Sequence, residues 1–378
     1  MDFSFTEEQK LIKDAARYFL KKECPIDLVR EMEEDNKGYP PELWCKMAEL
    51  GWLGLIFPVE YGGTGGGVLD LVILLEEMGR HLAPTPFLPT VILSGLSILF
   101  GGSEDQKQEF LPRIAKGKLI LTMALTELDP IYDPDGVKIW AIREGDDFLI
   151  NGTKVFVPYA HVADYLICAT RTGDSDEKEN GVTLFLIEGK NPGLSNTVLK
   201  TFACDKQSEV VFEQTKVNER NILGKYNRGW EIIKKVLERA AVAQCALMVG
   251  GAEKVLEMTV AHAKERVQFD RPIGSFQAIQ HRCANMKVDL DGAKFATYEA
   301  AWKLDQEFYC TLEVSVAKAW VNQAYHRICV NGHQVQGGMS CMRDDHDMSL
   351  YTKRAKAAEF LWGDTNFHRE KVAQQLGL

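Results

Sequence analysis

Residues 263–286 read AKERVQFDRPIGSFQAIQHRCANM, and the patterns on either side of this stretch decide how the chain is interpreted. A long helical pattern ends here, breaks at Asp270-Arg271-Pro272 and resumes near Phe276. Proline fixes φ and lacks an N–H, so Pro272 is expected just outside a helix or in its first turn. The stretch therefore predicts two helices joined by a short turn.

Side chains with a guanidinium, amide groups and an aromatic ring flank this turn: Arg266, Gln268, Phe269 and Gln277. Such a set suits a pyrophosphate with an attached ring system, because a guanidinium fork binds phosphate oxygens in pairs and stacks on flat groups. The alternative is a surface turn with a solvated Arg266. The local chemistry by itself favours that surface turn.

Composition limits the classes of protein that the chain can represent. Its 378 residues are 46% hydrophobic and 26% charged, which is ordinary for a globular protein of two or three domains. The net charge of −10 and the lack of a Lys/Arg run argue against nucleic-acid binding. With no run of 18 apolar residues we expect no membrane span, and the polar start MDFSFTEEQK predicts no signal peptide. The nine scattered Cys predict reduced thiols in a cytoplasmic protein without a metal site.

Three blocks of different pattern follow one another and predict an α+β multidomain protein. Residues 1–117 read as an all-α N-terminal domain. Residues 118–226 contain short β-rich runs at close spacing, which predict a small β-barrel or sandwich as the middle domain. Residues 227–378 are helical again and predict a C-terminal four-helix bundle.

Local signals refine these blocks. Thr6 to Gln9 form a capping-box pattern, and Asn151-Gly152 between two β-rich runs predicts a hairpin. The polar stretch from Gly173 to Gly181 predicts an exposed loop. Apolar residues at helical spacing predict helices over residues 68–83, 88–114, 230–266, 276–306, 311–334 and 351–374.

The segment RVQFDRPIGSFQAIQ resembles the RxxFGxPIxxFQxxQ signature of the acyl-CoA dehydrogenase family, with Asp270 where the family usually has Gly. The resemblance implies an FAD flavoprotein in which this stretch holds the FAD of a neighbouring subunit, and hence an oligomer, usually a tetramer. NGHQVQGGMSCM resembles the family's QxxGGxGY near the adenosine half. The residues implied in this shared site are Arg266, Gln268, Phe269, Ile273, Gln277, Gln334, Gly337 and Gly338.

Two segments of the middle block resemble the family's flavin-ring contacts. MALTELDP is similar to CLTEPxAGSD, in which the main chain and a Thr bind the ring, and Met123, Leu125 and Thr126 take those places. NGTKVFVPYAHVADYLICA is similar to NGxKxWITNGxxADxxxV. It places Phe156 at the tryptophan that shields the flavin and Pro158 at the neighbouring threonine.

The resemblance also implies a base that removes the α-proton of a thioester. The family's usual glutamate lies in YEGTxQIQR, whereas residues 361–369 read LWGDTNFHR and place Trp362 at that position. A second position used by some members aligns with Ala240. Asp364, two residues past the missing glutamate, is a candidate base, and its alternative role is a helix N-cap.

Three functions follow from these observations. The first is an FAD-dependent acyl-CoA dehydrogenase that oxidises the Cα–Cβ bond of an acyl-CoA with an unusual base. The family resemblance implies electron-transferring flavoprotein as its electron acceptor. The second is a subunit without its own base that pairs with a sister chain. The third is a flavin-containing relative that performs hydration or C–C cleavage on an acyl-CoA. The retained FAD residues argue against a purely structural protein, and the first hypothesis is preferred.

Overall fold

The computed structural model describes residues 5–129, 131–173, 177–342 and 347–378. These fall into two compact units, each described by itself. The helical unit comprises the described parts of Met1–Arg30, Gly67–Ala83 and Ala241–Leu378, and the mixed unit comprises Glu31–Gly66 and Pro84–Ala240. The predicted boundaries at residues 117 and 226 stay a prediction. The predicted loop from Gly173 to Gly181 lies partly outside the described residues.

The first two long helices of the helical unit are α1 (Glu7–Glu23) and α4 (Val68–Arg80). Between them in the sequence lie α2 (Ile26–Glu34) and α3 (Pro41–Glu49). The predicted capping box is confirmed, because Thr6 Oγ1 accepts from Gln9 N at 3.2 Å and Gln9 Oε1 accepts from Thr6 N at 3.1 Å. α4 lies so close to α7 (Gly229–Glu265) that a Cβ added to Gly79 would lie 2.0 Å from the Leu247 carbonyl oxygen.

Three of the four predicted C-terminal helices are confirmed within two residues of their bounds: α7, α8 (Gln277–Asp305) and α9 (Thr311–Gln336). The fourth, predicted over 351–374, is wrong as a single helix. The chain forms α10 (Met348–Phe360) and α11 (Thr365–Gln375) instead. They are separated because Trp362 and Gly363 have φ of +61° and +103°, which no right-handed helix accommodates.

The helix predicted over 88–114 is also interrupted. A π-helix over Leu88–Gly95 runs into α5 (Leu96–Gly101), and α6 (Glu104–Ala115) then starts separately. Gly102 is extended at ψ 146°, and Ser103 Oγ accepts from Gln106 N at 3.2 Å, so a helix ends and a new N-cap begins within two residues. Helical spacing of the apolar residues continues across this break, which is why the pattern concealed it.

Eight strands of the described mixed unit form one sheet, in the order β6-β7-β3-β2-β4-β5-β8 with β1 parallel to β4. Phe148, Phe185 and Phe212 belong to its buried core. The strands are β1 (Leu121–Ala124), β2 (Trp140–Glu144), β3 (Asp147–Pro158), β4 (Tyr165–Arg171), β5 (Val182–Glu188), β6 (Leu194–Leu199), β7 (Gln207–Asn218) and β8 (Ile222–Leu223).

The hairpin predicted at Asn151-Gly152 is wrong, because both residues lie inside the continuous strand β3. The turn lies closer to the N-terminus, where Gly145 with φ +66° joins β2 to β3. At Asn151-Gly152 the register with β7 shifts, and Asn151 Oδ1 accepts from Gln214 N at 2.8 Å. Glycine is favoured both in hairpin turns and at irregularities such as β-bulges. The Asn-Gly dipeptide therefore coincides with a register shift within β3 and not with a turn.

Candidate functional site

A cavity of about 350 Å³ opens within the helical unit at the end of α7. The short hairpin of β9 (Val267–Gln268) and β10 (Arg271–Pro272), the start of α8 and the end of α9 enclose it. Its lining residues are His262, Arg266, Gln268, Phe269, Ile273, Phe276, Ile279, Val335 and Gln336. The stretch that interrupts the two helices in the sequence therefore forms one side of a concave site.

The hairpin presents an aromatic ring at its tip. Phe269 and Asp270 have φ of +53° and +59°, as the two central residues of a two-residue turn require, and the Phe269 side chain is 85% exposed. Arg271 lies over the Phe276 ring, with its guanidinium carbon 4.1 Å from the ring centroid. Ile273 N donates to Arg266 O at 2.8 Å, which ties the end of α7 to the start of the next element.

Gln336 lines this cavity and is almost fully buried. Its side chain is 5% exposed, and Nε2 donates to Thr259 Oγ1 at 3.3 Å. Oε1 is buried and has no hydrogen-bond partner within the described residues. A buried acceptor without a partner is costly, so a ligand that donates an N–H or O–H here would stabilise the site. The next residue, Gly337, has φ +70° and open space where a Cβ would be.

These groups fit the adenosine diphosphate half of FAD. Arg266 is an exposed guanidinium that can bind two phosphate oxygens, and Gln336 Oε1 can accept from the adenine amine or a ribose hydroxyl. The apolar lining from Ile273, Ile279 and Val335 suits the flat face of a base. The polar and apolar groups of the cavity thus agree with FAD, the cofactor that the sequence resemblance implies.

Not every residue of the predicted shared site lines the cavity. Arg266, Gln268, Phe269 and Ile273 do. Gln277 and Gln334 are exposed outside its lining, and Gly337 and Gly338 follow the end of α9 with open space around them. Gln336 was missed, because the motif aligned Gln334, and two residues along a helix lie on nearly opposite faces. The apolar periodicity of α9, which buries Gln336 beside Val335, was the available signal.

The predicted flavin-ring residues lie in the mixed unit, on β1, β3 and the segment after β1. Met123, Leu125 and Pro158 are buried, whereas Phe156 is 53% exposed with φ +53°. Two hydrogen bonds join these segments: Thr122 Oγ1 donates to Pro158 O at 2.6 Å, and Val155 N donates to Thr126 O at 2.9 Å. Their assignment to a flavin ring stays a prediction.

A buried ion pair supports the segment after β1. Lys154 Nζ donates to Leu125 O at 3.0 Å and to Glu127 Oε1 at 2.7 Å, and Lys154 is fully buried. Glu127 Oε1 also accepts from Lys138 N at 2.9 Å. These bonds fix the backbone from Leu125 to Glu127, which contains Thr126. Lys154 is the lysine of the NGTKVFVP segment, and the sequence by itself does not indicate this role.

The segment aligned with the family's missing base is the loop from Leu361 to Asp364, hereafter the 361–364 loop. Trp362 is 7% exposed, and its carbonyl oxygen lies 3.0 Å from His368 Nε2. Burial lowers the pKa of His368 to about 3, so the ring is neutral and donates from Nε2. Asp364 is the N-cap of α11, because its Oδ1 accepts from Phe367 N at 2.8 Å. That is the alternative role given to Asp364, and its service as a base stays a prediction.

Comparison with known proteins places this geometry in a family. Models of the acyl-CoA dehydrogenase N-terminal, middle and C-terminal domains match residues 6–118, 122–215 and 227–377. The probable acyl-CoA dehydrogenase YngJ of Bacillus subtilis (strain 168) is 31% identical over 385 residues, covering 100% of both chains.

Solved structures agree. Butyryl-CoA dehydrogenase from Megasphaera elsdenii superposes with a TM-score of 0.92 at 27% identity, covering 100% of both chains. A chain of the ChsE4-ChsE5 complex from Mycobacterium tuberculosis gives a TM-score of 0.90 at 28% identity, covering 100% of this chain and 99% of that one. The predicted fold class is confirmed by these matches.

The fold and its matches define an oxidoreductase of the class that acts on CH–CH groups. The chain belongs to the acyl-CoA dehydrogenase family, whose members are FAD flavoproteins. None of the helices in the described ranges combines the length and apolar character needed to cross a bilayer.

Proposed function

We propose that this chain is an FAD-dependent acyl-CoA dehydrogenase that oxidises the Cα–Cβ bond of an acyl-CoA thioester to the enoyl-CoA. The observation that carries the proposal is the match of the three family models in order along nearly the whole chain. The cavity of the helical unit supports it, because its guanidinium, its buried acceptor and its apolar walls suit the adenosine diphosphate half of the cofactor.

When bound, FAD supplies an acceptor for the hydride that leaves the substrate's β-carbon. The chain's own residues bind and orient. Arg266 would bind the pyrophosphate oxygens, and Gln336 Oε1 would accept a hydrogen bond from the adenosine. Lys154 and Glu127 hold the backbone around Thr126, whose hydroxyl and main chain the family resemblance assigns to the ring. A fixed backbone reduces the reorganisation that binding a rigid ring would otherwise require.

A second candidate is favoured by Trp362. An indole has no basic site, so a chain with tryptophan at the glutamate position draws its base from elsewhere. A subunit that binds FAD and pairs with a base-carrying sister chain meets this requirement. The similar ChsE4-ChsE5 structure is a complex of two named components, which makes the arrangement structurally reasonable for this fold.

We further propose a cytoplasmic homotetramer that passes electrons to electron-transferring flavoprotein. The exposed ring of Phe269, 85% accessible at a hairpin tip beside the cavity, supports an interface here, because large exposed aromatic side chains are characteristic of contact surfaces. Electron-transferring flavoprotein follows from the family membership, and the scattered spacing of the nine Cys, which predicts reduced thiols, supports the cytoplasm.

Anaerobic titration of the purified protein with straight, branched and cyclic acyl-CoAs tests the function. We expect bound FAD in the visible spectrum and loss of its absorbance with at least one substrate class. A protein that holds FAD but is bleached only after co-expression with a sister chain supports the second candidate. Product formed while the flavin stays oxidised, without loss of two hydrogens from the substrate, would contradict dehydrogenation altogether.

A further inference from the structure

Lys318 is a fully buried cation on α9, and its ammonium has four acceptor atoms within hydrogen-bond distance. Its Nζ lies 2.7 Å from Asn322 Oδ1 on the same helix. It lies 3.1 Å from Ala358 O, 3.2 Å from Glu359 O and 3.2 Å from Gly363 O. Three of the four acceptors are therefore backbone carbonyls at the end of α10 and in the 361–364 loop. A buried ammonium is stable only with such partners.

The carbonyls at the end of α10 need a partner from outside the helix. The last turn of any α-helix leaves carbonyl groups without an intrahelical donor, and α10 ends at Phe360. Leu361 is extended at ψ 128°, so the chain departs from the helix there. The ammonium of Lys318 takes the place of a backbone cap at this helix end and binds the carbonyl of Gly363 at the same time.

A second side chain holds another carbonyl of the loop. His368 on α11 donates from Nε2 to Trp362 O at 3.0 Å, and its Nδ1 lies 3.3 Å from Ser315 Oγ on α9. Gly363 has φ +103°, and a Cβ added to it would lie 2.5 Å from the Phe367 ring and 2.6 Å from His368 Nε2. Glycine is therefore required at this point on two grounds, conformation and space.

We propose that Lys318 and His368 are positioning residues that fix the backbone of residue 362, the position aligned with the catalytic glutamate of the family. The inference rests on the proposed function for its significance and on the four carbonyl contacts for its geometry. Both residues hold main-chain oxygens, so the frame does not depend on which side chain residue 362 carries.

Hydrogen exchange of the whole 378-residue chain as purified, with its FAD, tests this proposal without any substrate. Lys318→Met keeps the length of the side chain and removes the ammonium. We expect the amides of residues 361–364 to exchange at least about tenfold faster than in the wild type, because local opening costs less once the carbonyls lose their donor. The matched control is Lys154→Met, which removes the buried ammonium of the mixed unit. It should speed exchange near residues 125–127 and leave 361–364 unchanged.

A spectroscopic signature separates positioning from simple destabilisation. The difference between the fluorescence of the wild type and that of Trp362→Phe reports the indole of residue 362. In the Lys318→Met background, the emission assigned to Trp362 by the same difference should shift to longer wavelength. The indole should also be quenched more strongly by acrylamide. Unchanged exchange and an unchanged Trp362 signal, or exchange that rises equally along all helices of the unit, would overturn the proposal.

His368→Phe provides a second variant in case Lys318→Met does not fold, because it removes the donor to Trp362 O and keeps an aromatic ring in place. His368→Phe must give the same local increase in hydrogen exchange at residues 361–364. If exchange there does not increase, the proposal is equally overturned. Since neither measurement uses an acyl-CoA, a failure of the proposed function would leave these results unaffected.

Discussion

The imidazole of His368 is kept neutral by its surroundings. It is 4% exposed, its Nε2 donates to Trp362 O, and the cation of Lys318 adds to the cost of a second positive charge. Burial is the larger cause and lowers the pKa of His368 to about 3. In the unfolded chain the same ring titrates near its ordinary value of about 6.5. The unfolded state therefore binds more protons than the folded state between these two values.

This difference predicts an acid sensitivity that can be assigned to one residue. Because the folded pKa is depressed, the free energy of unfolding falls as the pH drops from about 6.5 towards 3. His368→Gln keeps an N–H donor and does not titrate. Between pH 7 and pH 5 the free energy of unfolding, measured with urea, should fall by about 2 kcal/mol more for the wild type than for this variant. His326→Gln, on the exposed face of α9, is the control. Parallel pH profiles for the wild type and His368→Gln would contradict the assignment.

Single residues of the site were predictable where a motif has a fixed spacing. Arg266, Gln268, Phe269 and Ile273 line one cavity, as their spacing around Pro272 suggested. Gln336 and Lys318 were not predictable, since their roles depend on burial. A glutamine or lysine on a helix is ordinarily solvated, and only the packing of α9 against its neighbours removes these two from water.

At the scale of elements, α4 depends on a carboxylate from another helix. Asp305 at the end of α8 accepts from Leu69 N at 3.0 Å and also from Val68 N, both in the first turn of α4. The first amides of a helix lack intrahelical acceptors, and a negative charge there also interacts favourably with the helix dipole. Gly67 precedes α4, and a Cβ on it would lie 2.8 Å from the Asp305 carboxylate.

Asp305→Ala should therefore destabilise the protein by about 1–2 kcal/mol, the usual cost of losing an N-cap. Asp305→Asn keeps an oxygen acceptor and should lose less. Asp291→Ala on the same helix is a matched control, because it removes an exposed pair with Lys287 and should change stability by less than about 0.5 kcal/mol. Urea unfolding of the three variants measures this. Equal losses for Asp305→Ala and Asp291→Ala would show that the cap contributes nothing beyond a surface charge.

Elements with long apolar periodicity were predicted well, and breaks within them were not. α7, α8 and α9 have bounds close to those expected because their burial pattern persists for many turns. The loop between α10 and α11 was predicted as helix, since neither Trp362 nor Asp364 excludes one and a lone Gly363 is tolerated in helices at moderate cost. What breaks the helix is tertiary: Lys318 and His368 bind the carbonyls that a continuous helix would have used itself.

At the scale of the whole molecule, the proposed cofactor site makes binding and assembly interdependent. If FAD lies between subunits, every contact that the cavity makes with it also stabilises the oligomer, because a ligand that binds only the assembled state shifts the equilibrium towards that state. The sequence pointed to this through a family resemblance. Composition and periodicity could not have done so, because neither indicates how many copies of the 42.5 kDa chain assemble or which surfaces they share.

Arg266→Met tests this interdependence. The variant removes the guanidinium from the cavity and keeps an apolar side chain of similar length. A hydrogen bond to a charged group is worth about 1.5–3 kcal/mol, so FAD should bind roughly tenfold to a hundredfold more weakly. We expect less flavin per chain after gel filtration and, by light scattering, a smaller share of the species with four times the mass of the 42.5 kDa chain.

Arg282→Met is the matched control for Arg266→Met. Arg282 is exposed on α8, lies outside the cavity lining and donates to Asn331 at 3.0 Å. It should leave both flavin content and mass unchanged. Added FAD should restore the tetramer of Arg266→Met, since mass action compensates for weaker binding. If Arg266→Met keeps its full flavin content, the cavity is not part of the cofactor site. Loss of flavin at unchanged mass would show that FAD binds within a single chain, and the shared site would then be wrong.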